Sequence, residues 1–191
     1  MRGKFLVTLF ALAGLTILPA CSINVQKEKN GQDKKVDIDT PLGGIHVNKD
    51  VDAADVGIAV YPGARLMPKD NNGSDKSANV NISGFGFGLK VVALEYESDD
   101  TPEKLVAFYK DKLKSYGSVL ECHTSGFNMN ADVKTKDDGR HELTCEGSSG
   151  TNVELKVGTK ENQHIVEVEP EGKGSKFSLV YVRTHGKQAD I

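Results

Sequence analysis

The chain has 191 residues, a formal net charge of −3 at neutral pH and a hydrophobic share of 38%. An acidic balance argues against non-specific binding to nucleic acid, whose phosphates attract basic surfaces. Tryptophan is absent and aromatic residues make up only 6% of the chain, so the composition gives no sign of a large aromatic groove. The length suits one domain with a substantial core.

The first 20 residues have the layout of an export signal. Arg2 and Lys4 give a positive start, residues 5–18 carry no charge, and Pro19 and Ala20 lead to Cys21. The uncharged run is shorter than the about 20 residues that a membrane-spanning helix needs. The pattern therefore predicts a cleaved signal peptide over residues 1–20.

Residues Leu18-Pro19-Ala20-Cys21 resemble the lipobox of bacterial lipoproteins. The resemblance implies cleavage before Cys21, whose thiol would carry a diacylglycerol, with palmitate among the acyl chains, as a membrane anchor. Pro19 departs from the pattern, because Ala, Ser or Thr is usual there. Two alternatives stay open: secretory cleavage after Ser22, with Ala20 and Ser22 as the small residues, or an uncleaved anchor with an incidental cysteine.

The residue after the lipidated cysteine sorts lipoproteins in enteric bacteria. An Asp there holds the protein at the inner membrane, so Ser22 implies the outer membrane, facing the periplasm. Residues 21–35 are mostly polar and charged, which predicts a lipidated flexible tether with a reach of roughly 20 Å. We therefore expect an extracytoplasmic location in the bacterial cell envelope, with the membrane as a partner through the lipid.

Residues 36–184 are predicted to form a single α+β domain, and residues 185–191 a C-terminal tail. The domain opens with a hairpin, because Val36–Thr40 alternates with period two and a turn rich in Pro and Gly leads back through Gly44–Asn48. The three acids that follow are Asp50, Asp52 and Asp55. Clustered carboxylates suit calcium, but the spacing of an EF-hand is missing, and a short helical turn with acids at its start is the alternative.

Residues 79–96 predict strands interrupted by the run Gly84-Phe85-Gly86-Phe87-Gly88. No Gly-Lys-Ser/Thr follows, so a phosphate-binding loop is excluded. The glycines instead indicate a turn or a close approach of backbones. Contact of the phenylalanines with lipid or with a partner is a further possibility.

The clearest helix covers residues 101–116. Thr101 suits the N-cap, Pro102 the first helical position and Glu103 the positive helix end, while Gly117 is a stop signal. One face of this helix is apolar and is expected to pack in the core. Its members are Leu105, Tyr109, Leu113 and Tyr116.

The rest of the chain predicts only strands. Asp138-Gly139 is a two-residue hairpin turn between residues 131–136 and 141–146. Further strands are expected at 119–123, 153–157, 164–169 and 177–183, with Pro170, Gly172 and Gly174 marking the last turn. The predicted fold class is α+β: an antiparallel sheet, rich in meanders in its C-terminal half, with one main amphipathic helix packed on it.

Cys122 and Cys145 remain as an even pair in an oxidising compartment, which predicts a disulfide. The bond would close a loop of about 23 residues and stabilise the fold by roughly 3–4 kcal/mol. A redox or nucleophilic thiol is the alternative, but no Cys-x-x-Cys occurs.

The run Tyr61-Pro62-Gly63-Ala64, then a strand, then Thr101-Pro102 with Phe108-Tyr109 resembles a pattern in uncharacterised bacterial envelope proteins. The resemblance covers about a third of the chain. Its motif residues are interpreted as structural, since Pro followed by Gly suits the centre of a type II turn. It implies no established activity and no functional residue.

No catalytic signature occurs, since Gly-x-Ser-x-Gly and Ser-x-x-Lys are both missing. His141-Glu142 begins like a zinc-protease motif but lacks the second histidine. We therefore expect a non-catalytic binding or interaction module for an envelope protein or a small ligand, with no catalytic residue, cofactor, metal or nucleic acid.

The alternative is an envelope hydrolase or a divalent-metal-binding protein that uses histidines and glutamates on the sheet. His123 and His141 would approach each other if the disulfide forms, although zinc also needs a third or fourth ligand. Glu167 and Glu169 share one strand face, where a carboxylate pair could serve acid–base chemistry or simply be solvated.

Overall fold

A computed structural model describes residues 21–27, 33–68, 76–125, 142–145 and 150–186. Within them lie ten strands and two α-helices, α1 (Ala53–Val56) and α2 (Pro102–Leu113). The strands are β1 (Ser22–Lys27), β2 (Asp33–Thr40), β3 (Gly43–Asn48), β4 (Arg65–Leu66), β5 (Ser77–Gly84), β6 (Phe87–Ser98), β7 (Leu120–Thr124), β8 (Asn152–Thr159), β9 (Asn162–Glu171) and β10 (Gly174–His185). The predicted signal peptide and the turn Asp138-Gly139 lie outside the described residues.

The strands form one antiparallel sheet in the order β1-β2-β3-β5-β6-β10-β9-β8-β7, with β4 paired to β6. Most neighbours along this path are joined by short hairpins, as the meander pattern predicts. Three neighbouring pairs are joined differently. α1 and β4 lie between β3 and β5, and residues 125–151 lie between β7 and β8. β6 pairs with the last strand, β10, so that α2 and strands β7 to β9 are enclosed between them in the sequence. The predicted α+β class is confirmed.

One face of the sheet is covered by α2, and the core lies between them. Leu105, Tyr109 and Leu113 on α2 are fully buried, as their helical spacing predicts. They pack on β8, β9 and β10. The main sheet residues of this core are Val92, Leu94, Tyr96, Leu155, Val157, Val166, Val168, Phe177 and Leu179. We call this side of the sheet the helix-covered face.

The Tyr-Pro-Gly-Ala run forms a turn that docks on α2. Gly63 has φ +78°, and the N–H of Ala64 donates to the carbonyl of Tyr61 at 3.0 Å, which confirms the turn. The N–H of Tyr61 donates to the hydroxyl of Tyr109 at 3.0 Å, and its ring meets Phe108 edge-on at 5.1 Å. The two halves of the sequence pattern therefore contact each other, so its residues are structural.

The predicted disulfide between Cys122 and Cys145 is present, with a Cα–Cα distance of 5.4 Å. Residues 142–145, however, form no strand, which corrects the prediction there. The remainder of that predicted hairpin lies outside the described residues. The disulfide takes the place of strand pairing in this segment, because it holds residues 142–145 beside β7.

The prediction of a flexible tether over residues 21–35 is wrong for the residues that the structure describes there. β1 and the start of β2 lie in this segment. Cross-strand apolar pairs stabilise a strand even in a polar segment. β1 and β2 have two such pairs, Ile23 with Ile38 and Val25 with Val36. The sheet therefore begins directly after Cys21 and not at residue 36.

Two further details differ from the sequence predictions. Pro170 lies inside β9, opposite Ser175; it is tolerated because β8 pairs with β9 only as far as Val168. Tyr116 is 44% exposed rather than part of the core, because α2 ends at Leu113 and the chain continues as a tighter 3₁₀ turn.

We predict that Tyr109→Phe lowers the free energy of unfolding by about 1–2 kcal/mol, because the N–H of Tyr61 loses its buried acceptor. Urea unfolding followed by circular dichroism measures the change. Tyr116→Phe is the matched control. It removes a hydroxyl that donates to the carbonyl of Gly57, but water can replace that bond, so the loss should be smaller. Equal losses in the two variants would contradict this account of the docked turn.

Candidate interaction surface

Strands β1, β2, β3 and β5, which we call the outer strands, carry together with β6 an apolar surface on the side of the sheet that faces away from α2. Antiparallel partners place their side chains on the same face, so the register aligns apolar residues in two rows across five strands. One row is Ile23, Ile38, Ile45, Ile82 and Leu89. The other row is Val25, Val36, Val47, Val80 and Val91. We call these two rows the open face.

Solvent reaches the open face most freely near the edge of the sheet. Ile23 is 69% exposed, Val25 41% and Ile45 40%, whereas the members on β5 and β6 are half-buried. The main contacts of β1, β2, β3 and β5 are with neighbouring strands, and α2 packs elsewhere. A contiguous apolar surface that solvent reaches is a candidate site of interaction.

The reverse side of the same strands is polar. Asp37 accepts a hydrogen bond from Nδ1 of His46 at 2.9 Å and pairs with Lys35 at 3.0 Å. The bond to His46, followed by that to Lys35, lowers the pKa of the Asp37 carboxyl. A slip of one residue in register would bring these charges to the open face, so the two-sided pattern specifies the pairing.

The two edges of the sheet differ in how they are protected. β1 forms one edge, and all six of its residues are exposed. β7 forms the other edge, where the disulfide holds residues 142–145 alongside and Nζ of Lys156 donates to the carbonyl of Thr144 at 3.5 Å. Because the edges of a sheet invite further strand pairing, β1 is, among the described strands, the side at which another strand could add.

The described residues of the alternative hydrolase or metal site do not form one group. His123 is exposed and pairs with Val153, in a row that belongs to the helix-covered face. Glu167 and Glu169 share one face, as predicted, but it is the opposite face of the sheet. His141 lies outside the described residues. Within the described part of the chain, no three or more His, Cys, Asp or Glu side chains form a group that could hold a metal.

A buried polar cluster surrounds Glu167, which is only 4% exposed. Its Oε1 accepts hydrogen bonds from Asn152 and Thr124, each at 3.1 Å. Beside it, Glu154 and Lys156 form an ion pair at 2.8 Å. Burial raises the pKa of Glu167, the two hydrogen bonds oppose this, and the charge of Glu154 adds to the rise. The cluster is a satisfied network inside the protein.

The sequence pattern assigned no role to His164. Its alternation with Val166 places it on the helix-covered face. Its ring lies between those of Tyr116 and Tyr181, with centroid distances of 4.3 and 4.9 Å. Burial lowers the pKa of this histidine. It packs as an aromatic ring between two tyrosines.

Two of the three acids considered for calcium, Asp52 and Asp55, serve the local fold. Asp52 is the N-cap of α1 and accepts from the N–H of Ala54 at 2.7 Å, while Asp55 accepts from the N–H of Asp52 at 3.0 Å. The pair forms a capping box. The alternative of a short helical turn with acids at its start is confirmed.

Two shallow clefts lie near the C-terminal end of β6, where it pairs with the start of β10. The larger, of about 330 Å³, is lined by Arg65, Glu97 and Asp99 among others, and Arg65 forms ion pairs with both acids. The smaller, of about 210 Å³, includes Lys76 and Glu95, paired at 3.4 Å. Paired surface charges of this kind are ordinary, and neither cleft brings a histidine to an acid.

Comparison with protein-family models, curated proteins and solved structures gives no match to this chain. Among the described residues, no helix combines the length and the apolar character that crossing a bilayer requires. The candidate surface therefore has to be interpreted from its own residues. Its strongest features are the open face and β1, the edge strand of the described sheet.

We predict that Glu167→Gln removes part of the pH dependence of stability. The folded protein raises the pKa of Glu167 above its ordinary 4.5, so the folded state binds the proton more tightly than the unfolded state. Wild-type stability should therefore fall as pH rises above that value, whereas the neutral amide cannot ionise.

Urea midpoints at about pH 5 and about pH 8 test this, and the stability of the variant relative to wild type should increase between them. Glu169→Gln is the control, because Glu169 is exposed on the same strand face and should give a smaller change. A pH-independent difference at Glu167 would contradict the assignment.

Proposed function

We propose that the protein is a lipid-anchored, extracytoplasmic envelope protein that acts as a non-catalytic interaction module. The lipobox resemblance at Leu18–Cys21 carries the anchoring part. It is supported by the position of Cys21, which is exposed and directly precedes β1. A bilayer attached at this residue would lie beside the sheet itself, because no tether separates the two. Ser22 favours the outer membrane, facing the periplasm.

Binding is favoured over catalysis by the arrangement of the polar side chains. His123 and Glu167 lie on opposite faces of the sheet, and Asp52 and Asp55 are engaged in capping a helix. The strongest surface feature is apolar and extended along strands. Such a surface recognises a partner by shape and alternating side chains, and not by a reacting group.

The partner that fits this surface best is an extended segment of another envelope protein with apolar residues at alternate positions. Added to β1, which has a described neighbouring strand on one side only, it would extend the sheet and continue the two rows beyond Ile23 and Val25. Main-chain hydrogen bonds would supply affinity, and the rows would supply the register. The protected edge at β7 makes addition there unfavourable.

We predict that Cys21→Ala abolishes acylation and releases the protein from the membrane, because two acyl chains provide stable attachment and no other anchor follows in the described residues. Intact-mass analysis of the mature protein and fractionation of cells measure both effects. Ser22→Ala is the control and should keep the lipid. A wild-type mass that corresponds to an unacylated chain beginning at Ile23 would instead establish secretory cleavage.

A photo-reactive amino acid at Val25 should cross-link to a partner in intact cells, whereas the same group at Gln26, on the reverse face, should cross-link much less. Mass spectrometry of the product should map the bond to an extended segment with alternating apolar residues, and a synthetic peptide of that segment should bind the purified protein. Equal cross-linking at the two positions, or a product mapped to a helix, would contradict strand addition.

A further inference from the structure

We propose that the hairpin tips at Leu42 and Phe85 insert into the bilayer interface beside the lipidated Cys21 and fix the orientation of the sheet on the membrane. This proposal rests on the acylation of Cys21 proposed above. It adds a second membrane contact, made by the protein chain itself, that the lipobox does not imply.

Cys21, Leu42 and Phe85 lie at the same end of the outer strands. Ser22 pairs with Asp39, so Cys21 lies next to the turn that joins β2 to β3. Leu42 occupies that turn, and its carbonyl accepts a hydrogen bond from the N–H of Phe85 at 3.3 Å. Phe85 lies in the turn between β5 and β6. The acyl chains would therefore emerge from the same corner of the molecule as both tips.

Both tip residues are apolar and strongly exposed. Phe85 is 82% exposed and Leu42 64%. Phe85 also has φ +50°, followed by Gly86 at φ +79°, in a tight turn where Asn or Gly is the favoured first residue. A bulky aromatic residue in this left-handed conformation costs conformational energy and gains little packing within the fold. An apolar environment outside the protein would offset that cost.

Charge is distributed as a membrane contact requires. Residues 40–44 and 83–89, which form the two tips and the adjoining strand ends, contain no Asp, Glu, Lys or Arg. The opposite end of β6 carries Glu95 and Glu97 on the side of the open face, with Asp99 beyond them.

Between the two ends, the side chains of this face change in order from isoleucine and leucine to valine and then, on β5 and β6, to alanine. On β6 the series is Leu89, Val91, Ala93, Glu95 and Glu97. This face of the strands is therefore amphipathic along its length, with the apolar end at Cys21. Residues at an interface with lipid are sorted in this way, apolar groups inward and charges in water.

The test uses the absence of tryptophan from the chain. The acylated full chain carrying Phe85→Trp is reconstituted into vesicles of phosphatidylethanolamine and phosphatidylglycerol, some with brominated acyl chains. We expect a blue-shifted emission and quenching by the brominated lipids. Leu66→Trp is the matched control, since Leu66 is 49% exposed and pairs with Tyr96 of β6. Tyr96 lies about 30 Å from Phe87 along that strand, at about 3.3 Å per residue. Its emission should remain unshifted and unquenched.

The outcomes separate this proposal from the anchoring on which it rests. A chain that does not float with the vesicles overturns the acylation. If the Phe85→Trp chain floats but its tryptophan emission is unquenched, the tip insertion alone is overturned. If the emission is blue-shifted but unquenched, the tips are buried against a second copy or another protein, which also overturns it. Leu42→Trp repeats the test in the neighbouring turn if Phe85→Trp does not fold.

Discussion

The pairing of β6 with β10 holds the two parts of this protein together. Along this pair, Ser175 opposite Ser98 and His185 opposite Gly88 mark the ends of an unbroken register. On one side of it lie the strands that α2 covers, and on the other lie the outer strands that no described helix covers. Because side chains alternate with period two, a slip of one residue here would exchange the faces of the sheet. Both the core and the open face therefore depend on this register.

The covered and uncovered parts of the sheet use their faces in opposite ways. On the central strands the helix-covered face is apolar, and the reverse carries polar residues such as Glu167. On the outer strands the helix side is polar, as at Asp37 and His46, and the reverse is apolar. The exchange occurs at β5 and β6, where Val91 and Val92 are apolar on both sides. A single helix covers only part of a sheet with this many strands. The outer strands therefore need another means of shielding their apolar face from water.

Much of the fold was accessible from the sequence because its signals are local. The period of α2, the turn at Gly63 and the alternation of β8 to β10 each follow from a few neighbouring residues. The disulfide follows from the pair of cysteines that remains once Cys21 is assigned to the lipobox resemblance. β1 was missed because Ile23 and Val25 are isolated among polar residues. They become strand residues only through Ile38 and Val36 on β2, which is a contact between segments. Pro170 was misplaced for the same reason, since its tolerance depends on where the neighbouring strand ends.

The candidate surface was less accessible, because each strand contributes only one or two of its residues. Nothing in Val36 or Val80 alone distinguishes a row that remains open from one that a helix covers, and strand order decides this. The histidines and glutamates drew attention as single residues, but the register separates His123 from Glu167 across the thickness of the sheet. Sequence patterns identify residues by type, whereas a site requires residues on one face.

The loss of the expected tether changes the physical meaning of a lipid at Cys21. A coil over residues 21–35 would let the domain rotate freely within roughly 20 Å of the bilayer, and no surface would then have a defined orientation. A strand that begins at Ser22 would leave only a few rotatable bonds between the proposed acyl chains and the sheet. Most of the conformational entropy of the segment next to Cys21 has then already been lost on folding, and little more is lost when the domain is oriented at the membrane. Contacts at the neighbouring hairpin tips need only be weak to select one orientation, and the edge of β1 would be presented to partners beside the membrane in a constant direction.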